Sequence, residues 1–373
     1  MRILLIGEYS NVHNTLAMGL RHLGHEVTVA SDGDSWKNYP RDIDLRRDNT
    51  HIFGTLSFLW RLLKALPRMR RYDVVQLINP MFLELKAEHI MPIYRYLRRH
   101  NRKVVMGSFG MDYYWVSINT DLRPLRYSDF NFADQPRTDI EAQRFRDEWI
   151  GTPKQTLNEA IAIDCDGISA CLYEYWATYS NVRTICPDGR RICDKMRYIP
   201  LPIIMPDIYH TSYYGGPLKL FVGISRSRSA YKGTDIMLRA AQALKDKYPQ
   251  LLELRIAEGV PFDEYKRMMD GSDAILDQLY SYTPSMNSLL AMSKGIIVIG
   301  GGEPENYDIL NEQELRPIIN VQPNEQSVYN ELEQLILHPE RIAELKRQSV
   351  EYIRRHHDYV KVAEQYEKFY SEL

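Results

Sequence analysis

Between residues 218 and 321 the sequence alternates short apolar runs with longer amphipathic ones, and no other feature restricts its fold as strongly. The runs at 218–224, 252–257, 273–277, 295–299 and 318–321 are short and nearly continuous in apolar residues, which is how strands covered on both faces read. The stretches 234–247, 262–269 and 285–293 between them carry apolar residues at helical spacing, and the helical pattern continues over 325–337, 340–356 and 359–372. Strands that alternate with helices predict parallel sheets with crossover helices on their faces. The first half begins the same way, with a strand over 2–6, a helix that Gly24 closes and a strand over 26–30. Further strands are expected at 72–78, 103–107, 166–170 and 196–199, with helices over 55–72, 93–103 and 155–163. Residues 117–150 are polar and aromatic without either period, and are expected to form a long irregular excursion. A chain of 373 residues exceeds one ordinary core. The fold class expected is therefore α/β, with two Rossmann-like, doubly wound parallel-sheet domains facing across a cleft. Gly215-Gly216-Pro217 is the expected hinge between a first domain over 1–205 and a second over 206–356.

Charge and cysteine usage narrow the function classes. The net charge is −2, so any affinity for polyanions must be local. No apolar run reaches the roughly 18 residues of a membrane span. The apolar start is too short for a signal sequence and is ended by Glu8. Cys165, Cys171, Cys186 and Cys193 form no Cys-x-x-Cys pair, so reduced thiols of a cytoplasmic protein account for them better than a zinc site. The helices over 55–72 and 93–103 carry Arg61, Lys64, Arg68, Arg70 and Arg71, then Arg95, Arg98, Arg99, Arg102 and Lys103, with no acid among them. Such helices suit the anionic inner face of a membrane, but ordinary sheet-covering helices with a solvated basic face are the favoured reading. Nucleic acid is not favoured, because aromatic stacking platforms are not interleaved with the charges.

The chemistry concentrates where strand 220–224 runs into a polar loop and then into the helix that begins at Gly233-Thr234-Asp235. Strand, basic loop and helix N-terminus together hold phosphate, because free backbone N–H groups, the positive end of the dipole and fixed cations meet at one point. Arg226, Arg228 and Lys232 supply the cations, and a solvated basic turn is the competing reading. Residues 281–287, before the helix at 288–294, form a second such cradle. Gly300-Gly301-Gly302 lets backbone approach a ligand, and Glu305 can accept hydrogen bonds from sugar hydroxyls. Two anion sites and a carboxylate on one sheet edge describe a pocket for a nucleotide diphosphate. There is no Gly-x-Gly-x-x-Gly after the first strand, and no P-loop, His-Glu-x-x-His or Gly-x-Ser-x-Gly motif.

These residues resemble a known family. Phe221-Val222-Gly223, then Arg226, then Lys232-Gly233 is similar to the donor-site strand and arginine–lysine pair of retaining GT-B glycosyltransferases of the GT4 (glycosyl transferases group 1) family. The segment 289–298 resembles that family's Leu-Leu-Glu-Ala-Met segment, residues 301–305 its Gly-Gly-x-Pro-Glu turn, and the tail from Asn324 its closing helices. The resemblance implies that helix 357–373 packs back on the first domain. It implies a nucleotide-sugar donor, no cofactor, no metal and a saccharide or lipid-linked acceptor in cell-surface polysaccharide or glycolipid synthesis. Arg226, Lys232 and Asp112 become the catalytic candidates. Gly223, Tyr282, Thr283, Ser285, Met286, Asn287 and Glu305 become the donor-binding candidates, and Ser10, Asn11, His13, Asn79 and Ser108 the acceptor-side ones. Asp164-Cys165-Asp166 reads as the turn into a strand rather than as a metal bridge. The departures lie at Tyr282 and Leu290, where the family has glutamates, at Phe109, where it has histidine, and at Ser10-Asn11, where it has glycines. They bear on the sugar contacts more than on the diphosphate. The alternatives are a catalytically silent nucleotide-sugar-binding or assembly protein of the same fold, and a sugar-nucleotide epimerase.

Overall fold

A strand with no polar face has to lie inside a sheet, and β1 (Arg2–Ile6) is such a strand: Ile3, Leu4, Leu5 and Ile6 are all buried. The computed structural model describes residues 1–47, 51–224 and 229–373, apart from the side chains of Trp36, Ile52, Phe53 and Ala230. After β1 come β2 (Glu26–Ser31), β3 (Ile43–Asp44), β4 (Val74–Leu77) and β5 (Lys103–Ser108). The two-residue strands β6 (Asn131–Phe132) and β7 (Gln135–Pro136) form a separate antiparallel hairpin. The strands β8 (Gly167–Ala170) and β9 (Met196–Tyr198) complete a seven-stranded sheet of order β3-β2-β1-β4-β5-β8-β9, parallel at every pairing. The second half builds β10 (Leu218–Ile224), β11 (Leu252–Glu258), β12 (Ala274–Leu276), β13 (Ile297–Gly300) and β14 (Ile319–Asn320) into a five-stranded parallel sheet of order β11-β10-β12-β13-β14.

The chain forms two compact units. The first comprises residues 1–126, 130–202 and 359–373, and the second 127–129 and 203–358. The short segment 127–129, expected in the first domain, clusters with the second. The Tyr127 hydroxyl donates to Glu303 at 2.7 Å, and Asp129 accepts from the Tyr231 hydroxyl at 2.5 Å. The last helix, Tyr359–Glu372, belongs to the first unit, where it lies on the helix Val12–His22. Gly19 makes this fit, because a Cβ there would overlap the Tyr359 carbonyl and the Ala363 Cβ. In the second unit Lys346, on the helix Ile342–Tyr352, bonds Asp273 at 3.0 Å with both side chains buried, which fixes that helix at the amino end of β12. Among the described residues no helix is long and apolar enough to cross a membrane.

Helices Thr234–Lys247, Phe262–Met269 and Glu325–Leu337 begin and end where the apolar spacing predicts. The stretch 117–150 does not match its expectation. It is partly helical, with helices Tyr113–Asp121 and Ile140–Trp149 on either side of the β6–β7 hairpin. The first of these buries every residue from Tyr114 to Asn119, so it has no apolar stripe to show a period. The second buries only Ala142 and Trp149 along its length. The helix expected from 93 begins at Ala87 and runs through Pro92, held by Ile90, Tyr94 and Leu97 on its buried face. The helix expected over 340–356 is α-helical over Ile342–Tyr352 and widens into a π turn over Ile353–His357. The packing at Gly19 gives a direct test. Gly19→Val should lower the unfolding free energy by about 1–3 kcal/mol, the usual cost of overpacking a close contact. An unchanged thermal midpoint would contradict the close fit of the two helices.

Candidate functional site

In an open parallel sheet the ligand crevice lies where the strand order reverses, because the connections leave to opposite faces there. In the second unit this point falls between β10 and β12. Lys232 closes the helical turn Ser229–Lys232 beside it, and its carbonyl accepts the Leu279 N–H at 3.0 Å from the loop after β12. Gly233 follows in the left-handed conformation, φ 73°, and starts the helix Thr234–Lys247 with no side-chain cap on its first turn. The uncapped N–H groups and Lys232 therefore sit at the reversal point of this sheet. Arg226 and Arg228 lie outside the described residues. Gly223 serves packing. A Cβ there would stand 2.5 Å from the ring of Tyr265, which meets Phe221 edge-on at 5.1 Å.

The helix Met286–Ser293 presents a second first turn without a side-chain cap. Its cap residue Ser285 accepts from the Gln278 amide at 3.0 Å, and Asn287 donates to Asp277 at 3.1 Å. The Ser288 hydroxyl bonds the other oxygen of Asp277. Asp277 is the first residue after β12 and is buried at this helix terminus, so a carboxylate already faces part of the positive dipole end. Met286 is half-buried on the same turn. Thr283 is buried, with its carbonyl bonded by the Ser281 hydroxyl at 2.6 Å.

In the glycine run after β13, a Cβ on Gly301 would overlap the Ser281 carbonyl, so neighbouring backbone approaches this glycine closely. Tyr282 is buried, its ring 4.7 Å from that of Tyr127. Leu290 is half-buried. The buried carboxylate beside Tyr282 belongs to Glu303, which takes the Tyr127 hydroxyl at 2.7 Å and the Gln322 amide at 2.9 Å. Glu305 is half-buried in the short helix Pro304–Ile309.

In the first unit the strand order reverses between β1 and β4, and a cavity of about 280 Å³ opens there. It is lined by Gly7, Glu8 and Tyr9 after β1, by Ser31, Asp32 and Asp34 after β2, and by Ile78 with 81–85 after β4. Asp32, Asp34 and Glu84 make it acidic, and the Glu8 carboxyl lies among them. Ser10 and Asn11 sit at its edge with φ 52° and 72°, keeping the left-handed backbone that glycine favours. The Ser10 N–H donates to Asp34 at 2.8 Å, and Lys37 reaches Asp34 at 2.6 Å and the Ser10 hydroxyl at 3.2 Å.

The other acceptor-side candidates turn inward. His13 is fully buried, with Nδ1 2.8 Å from the Gly7 carbonyl and Nε2 3.3 Å from the Gln76 amide, and burial pushes its pKa down to about 3. Asn79 accepts from the Met81 N–H at 2.7 Å and donates to the Met111 carbonyl at 3.3 Å. Ser108 is buried, with a hydroxyl that has no partner among the described residues. Asp112 is buried and caps the helix Tyr113–Asp121, bonding the Trp115 N–H at 2.8 Å and the Tyr179 hydroxyl at 2.7 Å. Burial raises its carboxyl to about 6 against the pull of those bonds. Asp164 and Asp166 are taken by Tyr94 and Arg98 at 2.7 Å each. A further Asp-x-Asp spacing, Asp32-Gly33-Asp34, follows β2. Its oxygens accept the N–H groups of Asp34, Ser35 and Ser10 and the Lys37 ammonium. Among the described residues no three His, Cys, Asp or Glu side chains are grouped to hold a metal ion.

No model of a known protein family matches the sequence, and no curated protein matches it. Solved structures do match it over its whole length. Sucrose-phosphate synthase from Thermosynechococcus elongatus aligns at 13% identity over 100% of this chain and 98% of its own, with a TM-score of 0.64. Anabaena HepE in complex with UDP-glucose aligns at 13% identity over 100% of both chains, with a TM-score of 0.62. The fold is GT-B. The UDP-GlcNAc 2-epimerase from Neisseria meningitidis bound to UDP-GlcNAc shares it at 12% identity over 100% of both chains, with a TM-score of 0.53.

Within this GT-B chain, sequence reasoning missed Glu8, Asp277 and Glu303. Each is an acid at or just beyond a strand's carboxyl end, a position at which turns are also acidic. Glu8 bonds the N–H groups of His13 at 3.2 Å and Asn14 at 2.9 Å, yet burial, with Asp34 nearby, raises its carboxyl to about 8. The folded chain thus holds a proton that the unfolded chain releases near 4.5, and stability falls as pH rises through that interval. His13 and Asp112 exchange protons only below their ordinary 6.5 and raised 6 respectively, so the range from 6.5 to 8 isolates Glu8 among the three. The unfolding midpoint of the wild type should fall over that range, and Glu8→Gln should abolish the fall. A flat wild-type profile, or an equal fall in the variant, would contradict the buried carboxyl.

Proposed function

We propose that the protein is a retaining, metal-independent glycosyltransferase that moves a sugar from a nucleotide diphosphate donor to a hydroxyl acceptor. Its setting would be cell-surface polysaccharide or glycolipid synthesis from the cytoplasmic side. The observation that carries this reading is the convergence at the β10–β12 reversal point of Lys232 with the uncapped first turn of helix Thr234–Lys247. A diphosphate leaving group gains negative charge in the transition state, and preorganised N–H groups and cations that meet that charge lower the barrier. Lys232 would meet it from the end of its helical turn, Arg226 would share the task, and the first turn of helix Met286–Ser293 would add N–H groups. Glu305 would hold the donor's sugar or ribose. The acidic cavity after β1 would take the acceptor, since its carboxylates suit sugar hydroxyls and repel an anionic group.

Sugar-nucleotide epimerisation is the second reading. It is favoured by Tyr282, buried where the resembled transferases place a glutamate, and by the fold shared with the epimerase.

One panel separates the readings: UDP-, GDP- and ADP-sugars, with and without saccharide acceptors, scored for transfer, epimer formation and donor hydrolysis. Transfer is expected, and epimer formation without acceptor would favour the second reading. Lys232→Ala should lower turnover on the order of a hundredfold with little change in thermal midpoint. A variant with wild-type turnover would remove Lys232 from the site. Activity should survive EDTA, and a chelator-sensitive enzyme restored by Mn²⁺ would contradict the metal-independent mechanism.

A further inference from the structure

The two parallel sheets end in β3 and β9 on one and in β11 and β14 on the other. β3 and β14 have two residues each and β9 has three. Shortness is one of the ways in which a sheet edge is kept from pairing with another chain. β11 has no such protection. It runs for seven residues, Leu252–Glu258, contains no proline, and keeps register with β10 at every residue, so no bulge turns it away. Ile256 is 39% exposed on it, and Leu251 just before it is 44% exposed.

The hydrogen bonds show which of its backbone groups are open. The Leu218 N–H donates to the Leu251 carbonyl at 2.8 Å, and a parallel ladder draws on every second residue of a strand. Leu251, Glu253, Arg255 and Ala257 therefore turn their backbone groups toward β10, and Leu252, Leu254 and Ile256 turn theirs outward. The Leu252 N–H is taken by the Tyr248 carbonyl at 3.2 Å, and its carbonyl by the Lys245 ammonium at 2.6 Å. Among the described residues nothing bonds the outward N–H and C=O groups of Leu254 and Ile256. The side chains of Glu253 and Arg255 share one face of the strand and bond each other at 2.7 Å.

We propose that β11 pairs antiparallel with β11 of a second copy of this chain, about a two-fold axis at Leu254, and so joins the two five-stranded sheets into one. In that register Leu254 faces Leu254 of the second copy, and the two exchange both backbone bonds. Leu252 faces Ile256, Leu251 faces Ala257, Glu253 faces Arg255 and Gln250 faces Glu258. Each pair sets apolar against apolar, acid against base or polar against polar, as stable cross-strand pairs do. The Ile256 N–H meets the Leu252 carbonyl, which keeps a second lone pair beside Lys245. Other axes lose this match. An axis at Glu253 or at Arg255 sets like charges together, and one at Ile256 sets Leu254 against Glu258. The edge is thus complementary to itself, which a two-fold interface requires, and that favours a second copy over an unrelated extended peptide. The paired strands run in opposite directions, so the carboxyl edges of the two sheets open on opposite sides and neither is covered. The proposal is independent of the sugar-transfer reading, and either can fail alone.

The test is light scattering of the full chain over a dilution series, which should show a dimer that dissociates on dilution. Ile256→Pro deletes an outward N–H, a change that an edge strand tolerates, and should raise the dissociation constant about tenfold or more. Glu253→Arg and Arg255→Glu should each weaken self-association about tenfold, because each sets like charges opposite one another. An equimolar mixture of these two variants should associate at least as tightly as wild type, since every charged pair is then matched across the interface. A role for Glu253 and Arg255 confined to one chain would not produce that recovery. In the wild type, the Leu254 and Ile256 amides should exchange with solvent more slowly at high protein concentration than after dilution, a readout that needs no variant to fold. The proposal is overturned if wild type is monomeric throughout the series, or if Ile256→Pro associates like wild type. It is also overturned if the mixture associates no more tightly than its components, if those two amides exchange equally fast at both concentrations, or if the chain stays monomeric and takes up extended peptides at β11 instead.

Discussion

Parallel pairing is the constraint from which the rest of this structure follows. Two parallel strands can be joined only by a connection that returns over a face of the sheet, and that connection is usually a helix. Every such helix then starts near the carboxyl edge, with its positive dipole end and unpaired N–H groups there. All the pairings in both sheets are parallel, so both units carry their reactive edge at the same end of their strands. The reversal of strand order then selects one point on each edge, between β1 and β4 and between β10 and β12.

Those two points are built with opposite charge. The first unit surrounds its reversal point with Asp32, Asp34 and Glu84. It supports the loop from beneath through a buried chain of bonds, from the Tyr370 hydroxyl to Gln76 at 2.6 Å, from Gln76 to His13 at 3.3 Å, and from His13 to the Gly7 carbonyl at 2.8 Å. This chain ties the last helix of the sequence to its first loop, and it works only while His13 stays neutral, which burial ensures. The second unit instead places Lys232 and two uncapped helix ends at its edge and keeps its buried acids, Asp277 and Glu303, bonded to side-chain donors.

The alternation of strands and helices was legible in the sequence because each element shows its period on a half-covered surface. Thr234–Lys247 and Glu325–Leu337 could be placed to the residue. Tyr113–Asp121 could not, because burial on all sides removes the polar face that makes a helix recognisable. Of the site, the part carried by backbone was legible, as in the left-handed Gly233 before a helix start. Side-chain direction was not. His13 and Asn79 sit in loops at a sheet edge, as ligand-binding residues do, yet both turn inward to bond backbone. Gly301 shows the same limit, since a glycine signals a close approach without naming the partner, which here is the Ser281 carbonyl.

The central claim is that the edge of the second unit recognises a diphosphate as such. Calorimetric titration of the full chain with UDP, GDP and ADP, each against its monophosphate, tests it directly. The account predicts that at least one diphosphate binds about tenfold or more tightly than its monophosphate, as expected for charge-assisted bonds to the second phosphate, and that Lys232→Ala removes most of the difference. Equal affinity for mono- and diphosphate in every pair, or a preference that survives Lys232→Ala unchanged, would contradict it.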